Sequence, residues 1–303
     1  MDSVVLLTGF VAAAVRVATP LLFAATGETI SERSGVINLG MEGIMLAGAL
    51  AAALGAAAGG PWAGMLAALC AGMVLAGIFA LIVIGARADQ IITGTAITLA
   101  AIGITGTIYR KAYGAAGAGL SIPTLRPLAI PGLSRIPIIG SGFFDQPAPT
   151  YLAVAAVPLV WWVLFRTRLG LQLRATGEAA AMARAAGVRT TAIRVGSVLV
   201  GGALGGLGGA TLVLAQVGTF AERMTAGRGY LAIAIVVVGR WHPGGVAAAA
   251  LLFGLATALQ FLSQALDVQA PYQLFLMLPY LITLLALAGV VGRVRAPGDL
   301  GRV

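Results

Sequence analysis

FRTRLGLQLRATGEAAAMARAAGVRTTAIR, residues 165–194, is the stretch from which the fold follows. It carries Arg166, Arg168, Arg174, Arg184, Arg189 and Arg194 against one acid, Glu178, and long apolar runs flank it on both sides. A basic loop between apolar spans marks the cytoplasmic side of a polytopic membrane protein. The loop also holds a helix signal. Thr176 or Gly177 can cap a start, Glu178 falls in the first turn, Arg184 lies near the end and Gly187 supplies a stop. A helix of about nine residues, about 13 Å long, is too short to span a bilayer but long enough to present a knob to another protein.

Composition outside the loop gives the same class. The 303 residues are 59% hydrophobic and only 10% charged, whereas a soluble domain carries about 25% charged residues. The fold class expected is an all-α integral membrane protein. It would be one transmembrane domain over residues 1–303, a polytopic bundle of about 8–10 transmembrane helices. Nine apolar segments carry this reading: 4–25, 36–58, 62–86, 91–109, 150–165, 193–217, 229–239, 244–264 and 272–291. The seventh is short and reads as re-entrant or broken. Arg293, Arg295 and Arg302 put the tail in the cytoplasm; counting back puts residues 166–192 there too, and residues 110–149 outside. Arg110, Lys111, Arg126 and Arg135 then lie outside, against the charge rule. The N-terminus shows no signal-peptide cleavage pattern.

Single residues narrow the chemistry. Cys70 is the only cysteine and His242 the only histidine, which excludes a disulfide framework and a His/Cys metal site; no cofactor is expected. No Gly-x-x-x-x-Gly-Lys-Ser/Thr run is present, so the chain does not bind ATP by that route. The net charge of +9 is spread over loops and span ends, which fits a membrane protein better than nucleic-acid binding.

Polar residues inside apolar sequence mark a candidate solute path. Arg16 sits near the middle of segment 4–25. ATGETISERSGVINLGMEGIMLAGA, residues 25–49, packs Glu28, Glu32, Arg33, Asn38 and Glu42 among glycines and reads as a broken helix lining a cavity. An ordinary turn would explain Glu32 and Arg33 but not Glu42, a turn inside the next span. Gln90, Thr93, Thr95 and Thr98 form a stripe that helix back-bonding explains about as well. Glu222, Arg223, Thr225 and Arg228 precede the short seventh segment, either as part of a half-helix or as a surface cluster. Six prolines between 119 and 150 predict a non-helical extramembrane loop suited to docking a soluble partner. GGALGGLGGA, 201–210, places glycines every fourth position for close helix packing.

GETISERSGVINLGMEGIMLAGA (27–49), RTRLGLQLRATGEAAAMARAAGV (166–188), GTFAERMTAGRGYLAIAIVVVGRWHPGG (218–245), PYQLFLMLPYLITLLALAG (271–289) and SRIPIIGSGFF (134–144) together resemble ABC-importer permeases of the nucleoside type. These belong to the wider simple-sugar and branched-chain amino-acid permease group. The resemblance runs in collinear order over nearly the whole chain. It implies a multi-pass subunit of the bacterial plasma membrane that moves solute by alternating access and hydrolyses no ATP itself. The implied partners are an ABC ATPase, a second homologous permease subunit and an extracytoplasmic solute-binding lipoprotein, within membrane lipid. It gives the ATPase-coupling role to Thr176, Gly177, Glu178, Ala179, Ala180, Arg184 and Gly187. Relatives commonly carry an Asn-Pro-like pair where this chain has Ala179 and Ala180. The solute path would run past Arg16, Glu28, Asn38, Glu42, Thr93 and Arg228. A self-sufficient secondary transporter using Glu28, Glu42 and Arg16 for a coupling ion is the rival reading.

Overall fold

The computed structural model describes residues 3–114, 122–132, 134, 139–265, 277, 281 and 296–302. Among these, seven helices are long and apolar enough to cross a membrane, and an eighth is short. Of the expected span 272–291 only Met277 and Leu281 are among the described residues; Asp267, Arg293 and Arg295 lie outside them, as do Arg135 and Pro137.

Helix α1, Ser3–Arg33, is about 46 Å long and runs well beyond segment 4–25. The polar stretch at 25–33 is therefore helix, not a broken entry: Glu28 and Glu32 are buried on its last turns, and the break comes at residues 34–40. Pro20 inside α1 cannot donate to the Arg16 carbonyl. Gln216 fills that gap, its Nε2 donating to Arg16 O at 2.7 Å.

Helices α2 (Met41–Gly59) and α3 (Pro61–Ala80) form a hairpin turned at Gly60, φ +83°. A π turn, Leu81–Gly85, extends α3. Helix α4, Gln90–Tyr113, starts at Asp89, whose Oδ1 accepts the Ile91 and Ile92 N–H groups at 2.8 and 2.9 Å. The expected loop 110–149 is shorter than predicted, because α4 continues to Tyr113 and α6 (Ala148–Arg166) begins at Ala148. It is also not wholly non-helical. Strands β1 (Pro127–Ala129) and β2 (Asp145–Pro147) pair antiparallel, and α5, Ile139–Phe144, packs on α1.

Helix α9, Thr190–Thr211, is the axis of the bundle, packed on α1, α2 and α3. Its glycines explain how one helix serves three neighbours. A Cβ at Gly202 would overlap α3 at Ala76, and one at Gly209 would overlap the Met45 carbonyl of α2. Small residues let backbones approach where lipid supplies no hydrophobic drive between helices. A π turn, Leu212–Val217, ends α9. Helix α10, Arg228–Val238, is only about 16 Å long, and α11, Pro243–Ala265, returns along α1.

The ends of the bundle differ. Residues 33–35, Arg87, the 167–189 connection and the 296–302 tail gather at one end. At the other, Ile122 N–H reaches Gly218 O (3.1 Å), Leu125 N–H reaches Leu214 O (2.8 Å), and Arg110 pairs with Glu222 (2.8 Å). Glu222 thus pairs across to α4 rather than forming a cluster with Arg223.

Candidate functional site: a carboxylate between two broken helices

Buried backbone must find partners, and the break at 34–40 finds them in side chains. Ile37 N–H donates to Gln90 Oε1 (2.8 Å), Asn38 N–H to Glu28 Oε1 (2.7 Å), and Gly40 N–H to Asn38 Oδ1 (3.0 Å). Glu28 and Asn38 are therefore brought together, and they hold the chain as it turns into α2. Thr93 is buried on α4 between Gln90 and Gly94, which abuts Gly40.

One turn on, Glu42 projects from the first turn of α2 and is 7% exposed. Its Oε1 accepts the Thr225 hydroxyl at 2.6 Å and Gly227 N–H at 2.9 Å; its Oε2 accepts Gly229 N–H at 2.7 Å. Gly227, φ +83°, is the N-cap residue of α10 and offers no cap of its own. The first N–H groups of a helix lack internal partners, and the helix dipole favours an anion there. Glu42 supplies both needs from another helix. The approach is close because Gly229 lies on the backbone of Met41 and Glu42.

Beside this carboxylate opens a cavity of about 200 Å³ lined by Glu42, Leu46, Thr98, Arg223, Thr225 and Tyr230. Thr98 Oγ1 is buried with no protein partner among the described residues. Thr95 instead bonds back to Ile91 and Ile92 carbonyls, so the stripe on α4 divides into a helix-bonded and an unsatisfied hydroxyl. Arg228 Nη1 donates to Met224 O (3.0 Å) and Thr225 O (3.2 Å), bracing the loop rather than pairing with Glu42. Arg16 stands apart. It is exposed, its Nε turns back to Ala12 O (3.4 Å), and its carbonyl meets Gln216 near the far end of α9. Arg16 nonetheless lies near the middle of α1, 13 residues from its start and 17 from its end.

The other end of α10 is also pinned. Arg240 and Trp241 both take positive φ (56° and 53°), a costly backbone that surrounding contacts must impose. Trp241 Nε1 donates to buried Glu32 Oε2, and Arg33 Nε donates to Trp241 O at 2.8 Å. Next door, His242 stacks on Phe165 and its Nδ1 accepts Gly244 N–H, with no nucleophile or metal partner. Among the described residues no group of three or more His, Cys, Asp or Glu could hold a metal.

The connection 167–189 differs from its sequence reading. Helix α7, Arg168–Glu178, is capped by Thr167, and a separate six-residue helix α8, Ala180–Ala185, follows a break at Ala179. Thr176 and Gly177 therefore end a helix instead of starting one, and both are buried. Gly177 is held there by contact with the Arg33 carbonyl. Gly187, φ +84°, closes α8 as Val188 N–H returns to Ala183 O at 3.0 Å. Glu178, Arg184 and Gly187 face outward, beside Met182, which is 76% exposed. Sequence reasoning missed Met182, Trp241 and Asp299, the last of which caps α8.

A helical bundle with seven helices long and apolar enough to cross a membrane, a short helix pinned at both ends and broken helices meeting at a buried carboxylate is the architecture of a multi-pass membrane protein. Residues 10–287 match the family described as branched-chain amino acid transport system / permease component, and the chain belongs to that family. It is 38% identical to the guanosine ABC transporter permease NupQ of Bacillus subtilis strain 168, over 98% of this chain and 96% of that one. It is 39% identical to TsgC13 of Haloferax volcanii, a candidate glucose ABC transporter permease, over 87% and 81%. The nucleoside ABC transporter permease NupC of Lactococcus lactis subsp. cremoris is 34% identical over 92% and 91%. No solved structure matches the chain.

Proposed function

We propose that this chain is the membrane-spanning subunit of an ATP-driven ABC importer of nucleosides. Its partners would be an ATPase, a second homologous permease and a solute-binding lipoprotein. The guanosine and nucleoside permeases, matched over nearly their whole lengths, support the solute class. The end that gathers Arg33, Arg87, Arg184, Arg194 and Arg302 is the cytoplasmic one by the excess of basic residues, and it presents α8 to the ATPase.

One observation carries the mechanism: the helix that Glu42 holds at one end is tied at its other end to α1, against which the 167–178 connection rests. Force on α8 passes through Gly177 and Arg33 to Trp241, and so to α10. Interfaces of this kind switch between discrete packings rather than deforming smoothly. Three donors already meet Glu42, two of them at the start of α10, so its role is to hold α10 in place. Thr98 Oγ1, the Tyr230 ring and Arg223, which line the same cavity, are the groups free to meet ribose hydroxyls and a base.

The test is uptake of labelled guanosine into proteoliposomes holding the complete subunit set. Uptake should require ATP inside and the binding protein outside. Equal uptake without ATP, driven by an ion gradient, would establish the secondary-transport reading instead. The 39% identity to the candidate glucose permease favours a second solute reading; displacement of guanosine uptake by excess glucose, and not by adenosine, would select it.

A further inference from the structure

We infer that the 296–302 tail is a clasp that sets the coupling helix, with Asp299 as its positioning residue; this rests on the importer reading above. Helix α8 starts at Ala180 after Ala179, a residue with no side-chain acceptor, and has no cap of its own. Its first N–H is nevertheless met. Asp299 Oδ2, from 119 residues downstream, accepts Ala180 N–H at 2.6 Å. The tail backbone locks onto the same turn. Asp299 N–H donates to Gly177 O at 2.8 Å, and Gly298 N–H to Glu178 Oε2 at 3.2 Å.

The clasp reaches further than α8. Gly301 N–H donates to Gly35 O at 3.0 Å, where α1 gives way to the buried break. Arg302 O accepts Arg194 Nη2 at 2.8 Å, while Arg194 Nε reaches Ser34 O at 3.3 Å. Seven residues thus join four elements: the end of α7, the start of α8, the end of α1 and the first turns of α9. Asp299 sits among Arg87, Arg184, Arg194 and Arg302 around a cavity of about 330 Å³. Without the clasp, α8 could tilt about Ala179 while α1 stayed still. ATPase motion would then be absorbed at the hinge.

The experiment uses the full complex in proteoliposomes and compares Asp299→Ala, Asp299→Asn and wild type. The readouts are nucleoside carried per ATP hydrolysed and amide exchange over residues 180–186. With Asp299→Ala the ratio should fall at least fivefold and exchange at 180–186 should quicken, with exchange in α9 unchanged. Asp299→Asn keeps an acceptor oxygen and should restore most of both. An unchanged ratio, or fewer assembled complexes with an unchanged ratio for each, would overturn the inference. If wild-type uptake proves independent of ATP, the importer reading fails instead, and the exchange at 180–186 still decides whether Asp299 holds α8.

Discussion

Helices α8 and α10 both begin without a cap of their own, and each takes a carboxylate from far along the chain: Asp299 for α8, Glu42 for α10. The difference lies in depth and in number. Glu42 is buried and answers three donors, two of them backbone N–H groups. Asp299 is half-buried at the bundle's end and answers one donor on α8. The same device therefore does two jobs. In the interior, loss of the acceptor strands three donors at once, two of them backbone N–H groups, so the cap is part of the fold. At the rim, water can replace it, and what is lost is the direction of a short helix.

The largest effect follows from breaking the interior cap. Glu42→Ala would leave Thr225 Oγ1, Gly227 N–H and Gly229 N–H without acceptors. At about 1–3 kcal/mol for each stranded donor, a loss of about 3 kcal/mol or more is expected. A thermal melt in detergent should show it, with uptake abolished. Glu42→Gln keeps one acceptor oxygen and should lose less. Equal melting of Glu42→Ala and wild type would remove the contrast between the two caps.

The far end of α10 should give the next largest loss. Trp241→Phe keeps the ring's bulk but removes the donor to Glu32, leaving a buried carboxylate oxygen unmet. A destabilisation of about 2 kcal/mol is expected by melt, with uptake reduced because α10 is freed from α1.

These two ends differ in how far they could be read in advance. The spans were legible because hydropathy over twenty residues is a summed signal that no single contact overrides. Glu42 stood out as a charge one turn inside a span, where solvent cannot explain it. Of its partners, Thr225 stood out only as part of the polar stretch before the seventh segment, with nothing to join it to Glu42, and the backbone donors at Gly227 and Gly229 carry no mark. Trp241 was invisible for the same reason: an indole near a Pro-Gly turn looks like an interfacial aromatic until Glu32 is placed 209 residues before it. The break at Ala179 was misread for the opposite reason. EAAAMARAA favours unbroken helix by local propensity, and the tertiary contacts of Gly177 and Asp299 end α7 regardless.

The rim offers a smaller effect of another kind. Met182 on α8 is 76% exposed. Met182→Glu should leave the melt unchanged, yet lower ATP-driven uptake about tenfold, equivalent to about 1.4 kcal/mol at the ATPase contact. Reduced melting with unaltered uptake would place Met182 in the fold and not at a docking surface.

The smallest effect tests whether borrowed partners matter at all where the break is mild. Pro20 leaves the Arg16 carbonyl without its helix donor, and Gln216 Nε2 replaces it at 2.7 Å. This repair joins neutral groups and lies at an exposed position, so Gln216→Ala should cost only about 1 kcal/mol. Pro20→Ala gives a stricter form of the test. Residue 20 would regain its N–H and could satisfy Arg16 O from within α1, which makes Gln216 redundant. In the double-mutant cycle, the cost of Gln216→Ala should therefore vanish on the Pro20→Ala background. If the cost is the same on both backgrounds, Gln216 contributes by packing, and α1 tolerates an unmet carbonyl at Arg16.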